Sequence, residues 1–120
     1  MDGARPPEPV RATIGVDVRP RVVRVRMHGD LDAEAAPRLD RVLTEVIGQA
    51  AYRDRQPATR MTIDLEDVHL LAAAGMTVLL RAHEDAVRQG VDCLVCVSPR
   101  GRRALAMTGL DRTLLRDPRS

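Results

Sequence analysis

Along the first part of the chain the apolar residues recur at every second position. Val10, Ala12, Ile14, Val16 and Val18 alternate with Arg11, Thr13 and Asp17, the pattern of a strand with one buried face. "RPR" at 19–21 turns the chain, and "VVRVRMHG" alternates again with Val23, Val25 and Met27 inward. Together these segments predict a β-hairpin. The period then lengthens. Ala35, Ala36, Leu39, Val42, Leu43, Val46, Ile47 and Ala50 lie three and four apart, the stripe of an amphipathic helix. Pro37 has no amide hydrogen and belongs in a first turn, which puts the helix start near Ala33 to Ala36. Gly48 marks a local end, with Gln49 to Ala51 as an extension.

A polar loop over residues 52–59 leads to "RMTIDLEDV", a third strand with Met61, Ile63 and Leu65 on one face. Met76, Leu79, Leu80, His83 and Val87 form a second helical stripe that Gly90 stops. "VDCLVCV" is apolar on both faces and predicts a central strand covered on two sides. Ser98 as N-cap, Pro99 at the first helical position and Gly109 as C-cap frame a third helix. "DRTLLRD" closes the domain as a short strand or a helical turn. The order β-β-α-β-α-β-α requires crossovers, so the later strands are expected to be parallel and the hairpin antiparallel, in a small mixed-sheet α/β domain. Residues 1–9, rich in Pro and charge, read as a disordered tail, 10–116 as the domain and 117–120 as a polar tail.

Composition narrows the functional classes. The chain has 120 residues, enough for one core. There is no Phe or Trp and one Tyr, Tyr52, so the stacking platforms of many nucleic-acid binders are missing. All 19 basic residues are Arg, yet the formal net charge is only +2, and no long-range field favours nucleic acid or an anionic membrane. No apolar run approaches a membrane span, and "MDGARPPEPV" lacks a signal-peptide core, so a cytoplasmic protein without membrane insertion is expected. Two cysteines fit a reducing compartment.

Candidate chemistry is sparse. "CLVC" has the C-x-x-C spacing, but residues three apart on a strand point to opposite faces, so Cys93 and Cys96 cannot converge on one metal. His28, His69 and His83 sit on different elements, and His83 is expected to be part-buried and hydrogen-bonded. Asp30 and Asp32 read as a strand end and a helix cap. Arg100, Arg102 and Arg103 read as a solvated face at the start of the third helix. No metal site, cofactor or enzymatic activity is expected.

Three passages, in order, carry a resemblance. "HGDLDAEAAPRLDRVL" resembles the "G-E-L-D…A-P-x-L" passage of STAS domains of the anti-sigma-factor-antagonist type. "TIDLEDVHLLAAAGMTVLL" is similar to their "DL-x-x-V-x-F-(I/L)-D-S-(S/T)-G-(L/I)-x-x-L", and "SPRGRRALAMTGLDRTL" to their "S-P-x-V-x-R-x-L-x-x-(S/T)-G-L-D". The resemblance runs from about Val10 to Leu115 and implies the STAS fold. In that family the residue before the glycine is a hydroxyl phosphoacceptor for a serine kinase that is itself the anti-sigma factor. Carried onto this sequence, the Asp position is Ala72, the next serine Ala73 and the acceptor Ala74, followed by Gly75. A methyl group accepts no phosphate, and the charge of about −1.5 to −2 that phosphorylation brings is never placed there.

The resemblance therefore implies a non-catalytic interaction module that binds an anti-sigma factor or ATPase-fold serine kinase without being phosphorylated at the usual site. The expected partner surface comprises Asp30, Asp32, Ala73, Ala74, Gly75, Met76, Val78 and Arg81, with Val78 turned away from the core. Thr77 is a poor replacement acceptor, because its hydroxyl points elsewhere. A scaffold subunit of a signalling complex or of a lipid-transport ABC complex is the alternative within the family. A small nucleotide- or lipid-binding domain is the alternative outside it. Homo- or hetero-oligomers with other STAS proteins are left open.

Overall fold

The structure, a computed structural model, describes residues 11–52 and 60–115. Its elements are β1 (Thr13–Val18), β2 (Val22–His28), α1 (Ala36–Tyr52), β3 (Arg60–Asp67), α2 (Ala73–Arg88), β4 (Asp92–Val97), α3 (Pro99–Met107) and α4 (Asp111–Leu114). The expected tails, Val10 and most of the 52–59 loop lie outside the described residues. The strands form one sheet in the order β1-β2-β3-β4. β1 pairs antiparallel with β2, and β3 is parallel to both β2 and β4. Each crossover advances one strand in the same direction, and right-handed crossovers of that kind put both helices on one face. Sequential order also leaves β4 at an edge, which corrects the expectation of a central strand. Leu94 and Cys96 are only half-buried on the open face, while Cys93 and Val95 face the helices and are buried.

The core lies between sheet and helices. Val23, Val25 and Met27 of β2 and Met61, Ile63 and Leu65 of β3 meet Leu39, Leu43 and Ile47 of α1 there. The expected alternation of β2 and β3 is therefore observed, but that of β1 is not. Val16 and Val18 are each 46% exposed, because the helices pack over β2 to β4 and leave the edge strand uncovered. The helix α1 runs through Gly48 to Tyr52. The segment after Gly109 is the short helix α4, not a strand.

The helix α2 is rotated relative to the expected stripe. Its buried residues are Gly75, Met76, Val78, Leu79, Ala82 and Ala86, whereas Val87 is 64% exposed. Small side chains at 82 and 86 let α2 lie close beneath α1, and Val78 turns inward with them. At its end, Gly90 (φ +75°) receives the chain, and Val91 N–H reaches Ala86 O at 2.8 Å, the closing bond of a Schellman motif. Gly109 (φ +77°) ends α3 in the same way, with Leu110 N–H on Leu105 O at 3.0 Å.

Candidate functional site

Two loops meet at the start of α2. One leaves β2 through Gly29 (φ +102°) to Asp30 and Leu31, and the other leaves β3 through Val68 to Leu71. They are joined by an isolated parallel bridge between Leu31 and Leu71. Leu31 N–H donates to Leu70 O at 2.8 Å, and Ala72 N–H donates to Leu31 O at 2.9 Å. Leu31 is fully buried, and a Cβ added to Gly75 would overlap its Cγ. The glycine therefore lets α2 start directly on the Leu31 side chain. Ser98 fixes the other side, accepting from Gly101 N–H at 3.2 Å to cap α3 and donating to Val68 O at 3.1 Å. Thr108 Oγ1 lies 3.7 Å from Met76 Sδ, which ties the end of α3 to the first turns of α2.

The helix begins on an N-cap that is only a methyl group. Ala72 has the extended backbone of an N-cap (φ −82°, ψ 164°) but makes no side-chain cap bond, and the first turn holds no acidic residue. The amide hydrogens of Ala73, Ala74 and Gly75 thus have no acceptor within the helix. Ala73 and Ala74 are exposed. Thr77 is exposed too, and its hydroxyl donates back to Ala73 O at 3.2 Å.

Of the expected partner surface, Asp30, Ala73, Ala74 and Arg81 are exposed and Asp32 is half-buried. Asp32 acts as foreseen, its Oδ1 accepting from Ala35 N–H at 2.9 Å ahead of α1. Gly75 and Met76 are buried. The orientation expected for Val78 is corrected: it is 5% exposed and belongs to the core. In its place the structure exposes Leu70 (51%) beside Ala73 and Ala74. The Leu70–Leu71 doublet was the available signal, since neighbours in an extended segment point to opposite sides.

Elsewhere the chemistry is structural. Asp64, buried on the open sheet face, receives Arg24 and a 3.0 Å bond from Glu66 N–H, with Arg26 3.8 Å away. Burial pushes its carboxyl up, but the Arg24 hydrogen bond, the Glu66 amide and the two guanidinium charges outweigh that and hold it below the ordinary carboxylate value. Burial pushes the Cys93 thiol up to about 12, so it remains protonated. Cys93 and Cys96 are both free, on opposite faces of β4 as expected. His83 departs from expectation, because its buried Nδ1 has no hydrogen-bond partner among the described residues. Among those residues no group of three His, Cys, Asp or Glu is placed to hold a metal, and no helix is long and apolar enough to cross a membrane. The groove between α1 and α2, about 400 Å³, has both acids and bases on its walls, including Asp40, Arg81, Glu84 and Arg88.

Comparison with known proteins agrees with this architecture. An anti-sigma factor antagonist from Mycobacterium paratuberculosis is 27% identical with a TM-score of 0.74, the match covering 87% of this chain and 83% of that one. The unphosphorylated form of the anti-sigma factor antagonist SpoIIAA is 18% identical with a TM-score of 0.68, over 88% and 87% of the two chains. The phosphorylated form of SpoIIAA, a Bacillus cell fate determinant, is also 18% identical, with a TM-score of 0.64 over 88% and 90%. At that identity the SpoIIAA structures speak to the fold alone. The STAS domain profile matches residues 13–118. With that match extending over most of its length, this chain belongs to the STAS domain family.

Proposed function

We propose that the protein is a regulatory interaction module, an anti-sigma-factor-antagonist homologue that binds an anti-sigma factor or ATPase-fold serine kinase and is not phosphorylated at the family's usual position. The observation that carries this reading is the start of α2, where exposed Ala73 and Ala74 follow the uncapped Ala72. The junction is built as a firm, shape-defining surface, yet its methyl groups offer no nucleophile. The likeness to the mycobacterial antagonist supports an antagonist-type role.

The docking surface is re-centred on Asp30, Leu70, Ala73, Ala74, Thr77 and Arg81, all exposed. An apolar centre with a polar rim is the usual anatomy of a protein contact. Phosphate at position 74 is excluded chemically, so binding is constitutive with respect to that switch. It is then set by the amount of protein, or by competition with phosphorylatable relatives.

The test is titration against the ATPase-fold anti-sigma kinases of the same genome, with ATP present and mass spectrometry of the product. Saturable binding with no added phosphate supports the reading. Failure to bind any of them sinks it and favours the scaffold or transport-complex role. Phosphate on Thr77 would refute the unswitched form of the proposal.

A further inference from the structure

Among the described residues the outer edge of β1 pairs with no strand. We infer that two chains pair antiparallel through β1 about a two-fold axis at Val16, joining their sheets into one of eight strands. The hydrogen-bond phase of the β1–β2 hairpin carries the argument. Arg19 N–H bonds Val22 O at 2.9 Å, so 19↔22 is a hydrogen-bonded pair in a ladder that continues through Asp17↔Arg24 and Gly15↔Arg26. Such pairs alternate along an antiparallel ladder. The amide and carbonyl groups of Ile14, Val16 and Val18 therefore point away from β2, toward the free edge.

These same three residues carry their side chains on the helix side, opposite Met27, Val25 and Val23. There the helix layer stops short, leaving Val16 and Val18 each 46% exposed. Two conditions then fix the pairing. Outward-pointing backbone groups must meet each other, and apolar side chains must fall on one face. With Val16 opposite Val16 of the second copy and Ile14 opposite Val18, all three residues meet both conditions. On the open face this register sets Asp17 opposite Gly15, so no like charges lie directly across the pair. A two-fold axis perpendicular to the sheet keeps both helix layers on one side. The two α2 N-termini then point to opposite ends, free for partners. Five paired residues per copy, 14 to 18, make a small interface, roughly at or below 1,200 Å², and such contacts associate in the micromolar range or more weakly.

The full-length protein is tested by sedimentation over a concentration series from micromolar to near-millimolar, with two variants that act at the axis. Val16→Pro removes an amide hydrogen that β2 does not use, and Val16→Lys sets two cations face to face. Both should abolish the dimer while thermal melting shows the fold intact. Register is read by oxidation of cysteine variants, with the bridges mapped by mass spectrometry. Paired Cα atoms at position 16 would be about 5.5 Å apart, within a disulfide's reach of roughly 4.4–6.8 Å. At position 18 they would be about 14 Å apart, four residues along the strand and one strand across. Val16→Cys should therefore cross-link and Val18→Cys should not. A monomer at every concentration overturns the inference. So does a dimer that survives both Val16 variants, or one that cross-links equally at 16 and 18. A monomer whose Ile14, Val16 and Val18 amides resist hydrogen exchange also overturns it, since another part of the chain then covers the edge.

Discussion

The same substitution, Gly→Ala, should have opposite signs at two helical positions. At Gly48, inside α1, an added Cβ meets nothing within 4 Å. Alanine restricts the unfolded chain and suits the helix, so Gly48→Ala should stabilise by about 0.5–1 kcal/mol. At Gly75 an added Cβ would overlap Leu31 Cγ and lie 2.8 Å from its Cδ2 and 3.1 Å from its carbonyl oxygen. Leu31 cannot retreat easily, because it is fully buried and its backbone is held by bonds to Leu70 and Ala72. Overpacking of this kind costs about 1–3 kcal/mol, and the firm backbone argues for the upper half of that range. The helix-propensity gain, under about 1 kcal/mol in a first turn, offsets only part of it. The net expectation for Gly75→Ala is a loss of about 1–2 kcal/mol. For a domain of this size that is a fall in Tm of roughly 4–10 °C, against a rise of a few degrees for Gly48→Ala. Paired melts followed by circular dichroism, with urea titrations for the free energies, read both signs. A Gly75→Ala protein as stable as the parent would refute the packing of α2 on Leu31, and with it the steric need for a glycine at that position.

Three further outcomes follow from named groups. Ala72→Asp should supply the absent N-cap in a backbone already extended as a cap requires, raising stability by about 0.5–2 kcal/mol in thermal melts. Asp64→Asn should cost about 1–3 kcal/mol near neutral pH, since it weakens the part-buried contact with Arg24. Because the folded carboxyl lies below its ordinary value, its stabilisation is complete above the unfolded-state pKa of about 3.9. It is lost as pH falls through the lower folded-state value, so the gap between wild type and Asp64→Asn should narrow in acid urea titrations. His83→Leu should stabilise by about 1 kcal/mol, because it removes a buried nitrogen without a partner among the described residues, and an unchanged or lower Tm would show that Nδ1 is satisfied in solution.

The alternation and helical period of the chain identified the elements well where one face is clearly covered. β2, β3, the stripe of α1, the Ser98 cap and the glycine ends of α2 and α3 all stand as read from sequence. The failures share a cause. Periodicity counts large apolar residues, and α2 packs with alanines. Leu80 and Val87 pulled the expected stripe to one side, while Ala82 and Ala86, which permit the close approach, carried little weight. A stripe drawn on those two residues puts Val78 outside, whereas it is core. Strand order is likewise absent from periodicity. The apolar run of β4 suggested two covered faces, but the crossovers set it at an edge. At the site, the alanine run was legible, whereas the outward turn of Leu70 depends on the bridge between Leu31 and Leu71, a contact between residues far apart in sequence.

Shape and chemistry at the α2 junction are encoded by different residues. The shape depends on Leu31 filling the space that Gly75 leaves open, on the paired bonds through Leu70 and Ala72, and on Ser98 joining Val68 to α3. None of these needs a hydroxyl at 72, 73 or 74. The chemistry depends on those three side chains alone, two of which are exposed and carry little packing. The three positions are therefore free to change without loss of the junction's backbone shape, and alanine there removes one capping interaction while leaving the helix in place. A partner that recognises shape meets an intact surface, and a kinase that needs a nucleophile at position 74 meets a methyl group. Restoring Ser at Ala74 separates the two properties. If the junction is held as described, Ala74→Ser should leave partner affinity unchanged in the absence of ATP, and only with ATP should phosphate and weakened binding be observed together.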